Sequence, residues 1–209
     1  MKKISVSFLS CDDVLDDLDE LDETDVDYIH VDSMDGKFVD NKNNPYHYLK
    51  EFCKYSRKPL DVHLMEEKPE HSIEKYASLN TEMISIHIEI QEDISKLLNL
   101  IHSYGIKAGL AISPDTDPLL LEPYFEEIDF ILVMSVYPGY GGQKFIPSTI
   151  DKIKQIKKEL SYFKKEILIS VDGGVGLKEK ELLEEADILV SGSYIVKGDS
   201  YQDRITSLR

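Results

Sequence analysis

The sequence predicts an α/β fold, a compact closed (β/α)8 barrel of the TIM type, on three observations. Short β-rich runs alternate with charged, apolar-periodic segments eight times along the 209 residues. No linker, low-complexity tract or shift of composition interrupts them, so residues 1–209 read as one domain. Strand–helix–strand repetition of this kind gives parallel pairing, right-handed crossovers and helices outside. An open doubly wound sheet is the competitor, but it more often has about five to seven strands.

The first run, ISVSFL (4–9), sits in MKKISVSFLSC, which has the basic start of a secretory leader. Its apolar part is short and serine-bearing, and acidic DDVLDDLDELDE follows at once, so a first strand feeding an acidic helix is expected. The next runs are YIHVDSM (28–34), PLDVHLM (59–65), MISIHI (83–88) and KAGLAI (107–112). DFILVM (129–134), EILISV (166–171) and DILVSG (187–192) complete the eight. Between them, segments such as ISKLLNLIHSY (94–104) and IDKIKQIKKEL (150–160) carry helical periodicity. Eight β-then-α units are therefore expected.

A formal net charge of -16 argues against a nucleic-acid surface and against electrostatic attachment to anionic lipid. An anionic ligand would have to be held by local dipoles, because the overall field opposes it. Apolar runs such as FILVMSV (130–136) are too short to span a bilayer. Cys11 and Cys53 form no metal or disulfide pattern, which fits a reducing, cytoplasmic setting.

A barrel carries its chemistry at the C-terminal ends of its strands. Side chains alternate along a strand, so His30, Asp32 and Met34 share one face, and Asp61, His63 and Met65 share another. Asp172 ends the seventh run just before a glycine pair. His30, Asp32, His63 and Asp172 thus converge on one mouth. Two nitrogen and two oxygen ligands suit one divalent ion such as Zn, Fe(II), Mn or Co. A cation would offset the cost of burying two carboxylates. His47, His71 and His102 read as surface residues, whereas His87, two before Glu89, either supports the site or packs.

Three glycine-rich stretches, MSVYPGYGGQKF (134–145), VDGGVG (171–176) and VSGSYI (190–195), follow the sixth, seventh and eighth runs. Loops in these positions commonly cradle a phosphate with backbone N–H groups, which suits an acidic chain without a basic cluster there.

SVSFLS, HVDSMDGKFVDN, DVHLM, GLAISPDT, MSVYPGYGGQKF, VDGG and SGS, in that order over residues 5–193, resemble the successive signatures of the ribulose-phosphate 3-epimerase family. The resemblance implies a barrel of the ribulose-phosphate-binding type and a metal held by His30, Asp32, His63 and Asp172. Asp32 and Asp172 would be the paired acid/base catalysts, and Ser7 and His63 would contact substrate. Met34, Met65 and Met134 would line the pocket. Gly139, Tyr140, Gly141, Gly142, Gly173, Gly174, Gly192 and Ser193 would lie around the substrate and its phosphate. Ser5, Asp40, Ser113 and Tyr194 depart from the family's usual residues, and Asp40, standing where Pro is usual, removes a constraint on its loop.

The implied activity is inversion at C3 between D-ribulose 5-phosphate and D-xylulose 5-phosphate, with a hexulose 6-phosphate such as D-allulose 6-phosphate as the alternative substrate. The implied partners are the phosphorylated ketopentose and further copies of the chain in a homo-oligomer. A barrel decarboxylase would normally need a lysine near the acids of the second or third strand, where this chain has histidines. A non-enzymatic binding protein would need to have lost one of the four ligands.

Overall fold

The computed structural model describes all 209 residues. Nine strands form: β1 (Lys3–Ser7), β2 (Tyr28–Asp35), β3 (Lys42–Asn43), β4 (Leu60–Met65), β5 (Thr81–His87), β6 (Lys107–Ile112), β7 (Phe130–Met134), β8 (Leu168–Asp172) and β9 (Ile188–Ser191). The hydrogen-bonded order is β1-β9-β8-β7-β6-β5-β4-β2, and pairing of β1 with β2 closes the ring. All eight pairings in that ring are parallel. β3 lies outside it, antiparallel to the end of β2. The eight expected strands are the eight of the closed barrel, although the first stops at Ser7 rather than residue 9.

The strands are short runs of Val, Ile and Leu because each is buried on both faces, by helices outside and by side chains within. The helices are α1 (Val14–Asp22), α2 (Tyr46–Phe52), α3 (Glu70–Ala77), α4 (Ile94–Ser103), α5 (Thr149–Leu160), α6 (Leu177–Lys180), α7 (Ser193–Val196) and α8 (Tyr201–Leu208). α1 and α4 start where Asp13 and Asp93 accept hydrogen bonds from first-turn N–H groups.

The expectation of eight β-then-α units needs one correction. The segment after β6 is a 3-10 helix, Pro118–Tyr124. Pro123 has no N–H to donate and its ring clashes with the preceding turn, so an α-helix is not sustained there. α6 is likewise a single short turn.

A core of 45 buried residues fills the layer between strands and helices. A second, of nine, fills the barrel, with Tyr28, Met83, Phe130 and Ile188 at the N-terminal ends of their strands. Above that floor the inward residues turn polar: Ser5, His30, Asp61, His63, Ser85, His87 and Ser170 are all fully buried. No helix is long and apolar enough to cross a membrane.

Candidate active site

Strand register sets the chemistry in layers. Asp32 of β2 is paired with His63 of β4, with His30 and Asp61 one layer below and Met34 and Met65 one above. Round the ring, Asp172 of β8 is paired with Met134 of β7. β2 and β8 are separated by β1 and β9, so their inward carboxylates reach the centre from different sectors.

One ligand atom from each of His30, Asp32, His63 and Asp172 lies within 4.8 Å of all the others. His63 Nδ1 is 3.3 Å from Asp32 Oδ1 and 3.9 Å from Asp172 Oδ2. His30 Nε2 is 3.5 Å from Asp32 Oδ1 and 3.7 Å from Asp172 Oδ2. Ligands about 2.1 Å from a four-coordinate ion stand roughly 3.4 Å apart, so these spacings suit a shared cation better than direct hydrogen bonds.

His30 supplies the sharper test. Its Nδ1 is 2.9 Å from Asp61 Oδ2, which also accepts from Ser5 Oγ at 2.8 Å. Its Nε2 is buried with no hydrogen-bond partner. A fully buried imidazole nitrogen with no hydrogen-bond partner, facing two carboxylates, fits the role of a metal ligand.

The electrostatics agree. Burial opposes a charge on His30, yet the carboxylates of Asp61 and Asp32 drive its pKa well above the ordinary value. Burial would also raise Asp32, but His30 and His63 hold it well below the usual carboxylate range. Burial, with Asp32 and Asp61 nearby and against the pull of His30, pushes Asp172 up to about 7. This nest of acids calls for positive charge at its centre, and a divalent cation meets the demand.

The cleft above is lined by Ser7, Asp32, Met34, Met65, Met134 and Asp172. Gly139, Tyr140, Gly141, Gly142, Gly173, Gly174, Gly192 and Ser193 line it as well. His30 and His63 lie fully buried behind the two carboxylates. Ser7 Oγ donates to Asp32 Oδ2 at 2.9 Å. The three methionines are 1–3% exposed, forming an apolar wall that donates no proton.

Among the glycines, Gly173 (φ +121) and Gly174 (φ +64) follow β8. A Cβ on Gly174 would lie 2.5 Å from Phe145 N and 2.8 Å from Gln143 O, so only glycine lets the loop after β7 approach that closely. Ser135 Oγ donates to Gly173 O at 2.6 Å and fixes the turn. Asn41 Nδ2 donates to Gly139 O at 2.8 Å, tying the loop after β2 to the loop after β7 across the mouth.

His47, His71 and His102 are exposed, as expected. His87 is fully buried and faces inward, its Nε2 2.8 Å from His63 Nε2 and its Nδ1 2.9 Å from Glu89 Oε2. In the sequence Asp61 stands out only as a neighbour of His63 on its strand; its contacts to Ser5 and His30 are long-range and have no local signature. Gln143, whose Nε2 donates to Tyr137 O and Tyr140 O, also joins the lining.

The model of the "Ribulose-phosphate 3 epimerase family" matches residues 3–196. The chain belongs to the ribulose-phosphate 3-epimerase family. It is 35% identical to the ribulose-phosphate 3-epimerase of Bacillus subtilis (strain 168), with 100% of this chain and 99% of that protein covered. The same enzyme of Helicobacter pylori (strain J99 / ATCC 700824) is 35% identical, with 99% and 96% covered. That of Escherichia coli (strain K12) is 34% identical, with 88% and 83% covered. Among solved structures, a mutant tryptophan synthase alpha-subunit of Pyrococcus furiosus superposes with a TM-score of 0.70 at 17% identity, covering 99% of this chain and 95% of that one. At that identity the likeness is one of fold. The chain is thus an epimerase built on a (β/α)8 barrel, with a His/Asp group able to hold a metal ion.

Proposed function

We propose that residues 1–209 act as one catalytic domain that interconverts D-ribulose 5-phosphate and D-xylulose 5-phosphate by inverting C3. The observation that carries this reading is the arrival of Asp32 and Asp172 at one centre from β2 and β8, two carboxylates served by one pair of histidines. Inversion requires a proton to leave one face of C3 and another to arrive on the opposite face. A carboxylate on each side does both without moving, one as base and the other as acid, with roles exchanged in the reverse direction.

The C3 hydrogen is acidified by the neighbouring C2 ketone, and its loss leaves an enediolate. A divalent ion, Zn, Fe(II), Mn or Co, held by His30, Asp32, His63 and Asp172 would supply Lewis-acid stabilisation of the charge developing on the sugar oxygens. Ser7 holds Asp32 by its second oxygen, leaving the first for the centre. Met34, Met65 and Met134 exclude water from the reacting carbon and offer it no competing proton. The loops after β7, β8 and β9 receive the phosphate, so that an anionic substrate is held by backbone N–H groups within a chain of charge -16.

The reading includes a homo-oligomer and a reducing cytoplasm, where the part-buried thiols of Cys11 and Cys53 stay free. In deuterium oxide the enzyme is expected to wash deuterium into C3 of recovered ribulose 5-phosphate. Asp172→Asn should abolish turnover, on the order of a 10³-fold loss or more, while leaving the circular dichroism spectrum unchanged. Near-full activity in that folded variant refutes the two-carboxylate scheme. Higher kcat/KM on D-allulose 6-phosphate than on D-ribulose 5-phosphate would move the assignment to the six-carbon substrate.

A further inference from the structure

Behind His63 a chain of hydrogen bonds runs away from the reacting centre, through buried His87 to part-buried Glu89. Glu89 stands at its far end, with Oε1 accepting from Ser113 N at 2.8 Å and from Thr116 Oγ1 at 2.6 Å. Its Oε2 is 2.9 Å from His87 Nδ1. The loop that supplies Ser113 and Thr116 is itself pinned by Lys152 of α5, whose Nζ donates to Ser113 O, Pro114 O and Thr116 O, each at 2.7 Å. Phe38 packs on the His87 ring with centroids 4.5 Å apart and covers it.

The direction of every proton follows from the Glu89 end. A carboxylate that already accepts two donors on one oxygen offers only an acceptor on the other, so His87 carries its proton on Nδ1. Its Nε2 is then a lone pair facing His63 Nε2 at 2.8 Å. Two lone pairs at that distance repel, so His63 must carry its proton on Nε2 and leave Nδ1 open toward Asp32 and Asp172.

We propose that His87 and Glu89 are positioning residues that lock His63 in the tautomer whose Nδ1 lone pair faces the ion. Because the role presupposes an ion among His30, Asp32, His63 and Asp172, it stands on the function proposed above. It extends the usual carboxylate–histidine–metal arrangement by one inserted imidazole, whereas His30 is served directly by Asp61. Neither His87 nor Glu89 lines the substrate cleft, so their effect passes through His63 alone.

The test is zinc affinity by chelator competition on the full chain, together with imidazole 15N spectra of the zinc-loaded protein. His87→Leu removes the acceptor and is expected to weaken zinc binding about ten- to a hundredfold. His87→Gln, whose side-chain carbonyl can still accept from His63 Nε2, should recover most of that loss, a rescue that mere filling of space would not give. The spectra should place protons on His63 Nε2 and His87 Nδ1. Unchanged zinc affinity in His87→Leu, or a proton on His63 Nδ1, overturns the relay while leaving the metal reading intact. Should His87→Leu not fold, the tautomers of the unaltered protein still decide. Protein that takes up no zinc, or whose zinc affinity is indifferent to His63→Ala, sinks the metal reading and the relay with it.

Discussion

At His30 one ring nitrogen faces Asp61 and the other faces the open centre, so the placement of a single proton decides whether the ring can ligate. Asp61→Asn keeps the shape of the side chain but can turn an amide donor to His30 Nδ1, which would send the proton to Nε2. Metal affinity is expected to fall about ten- to a hundredfold in that variant, with the fold retained. Affinity equal to that of the unaltered chain, measured by chelator competition, would show that Asp61 merely fills the barrel. Ser5 Oγ donates to the same carboxylate and helps to hold it in place.

Elements differ in how plainly they can be read. All eight barrel strands are legible because runs such as FILVM are buried on both faces and need no partner to announce themselves. The helix expected after the fifth run is the exception, since Pro123 inside Pro118–Tyr124 reduces it to 3-10 turns. His30, Asp32 and His63 are legible because an ionisable residue in a buried run is expensive and so conspicuous, and Asp172 because it ends a buried run just before a glycine pair. Ser5–Asp61 and His63–His87 are not, since they join strands through side chains far apart in sequence. At the loop after β8, Gly174→Ala would force its Cβ against Phe145 N and Gln143 O. Steady-state kinetics should show KM for the phosphorylated substrate raised about tenfold, close to 1.4 kcal/mol, with kcat less affected. A KM unchanged by that substitution would remove this turn from the phosphate cradle.

For the whole molecule, the buried polar layer makes stability depend on pH. Burial holds His87 down to about 4 from an ordinary 6.5, so the unfolded chain binds its proton first and stability is lost as pH falls from 6.5 toward 4. Burial alone would raise Glu89, but hydrogen bonds from His87, Thr116 and Ser113 hold it at about 2, against an ordinary 4.5, which continues the loss below pH 4.5. The His87 contribution is on the order of 3 kcal/mol. Urea midpoints of chelated protein should therefore drop between pH 7 and pH 4, and less so in His87→Gln; parallel profiles for the two proteins would contradict this. One ion seated between two acids makes turnover depend on that ion, which metal analysis coupled to an epimerase assay during exhaustive chelation and metal readdition measures. About one divalent ion per chain is expected, with turnover lost as it leaves and regained as it returns. Full turnover in protein verified to be metal-free would rule the ion out of the reaction.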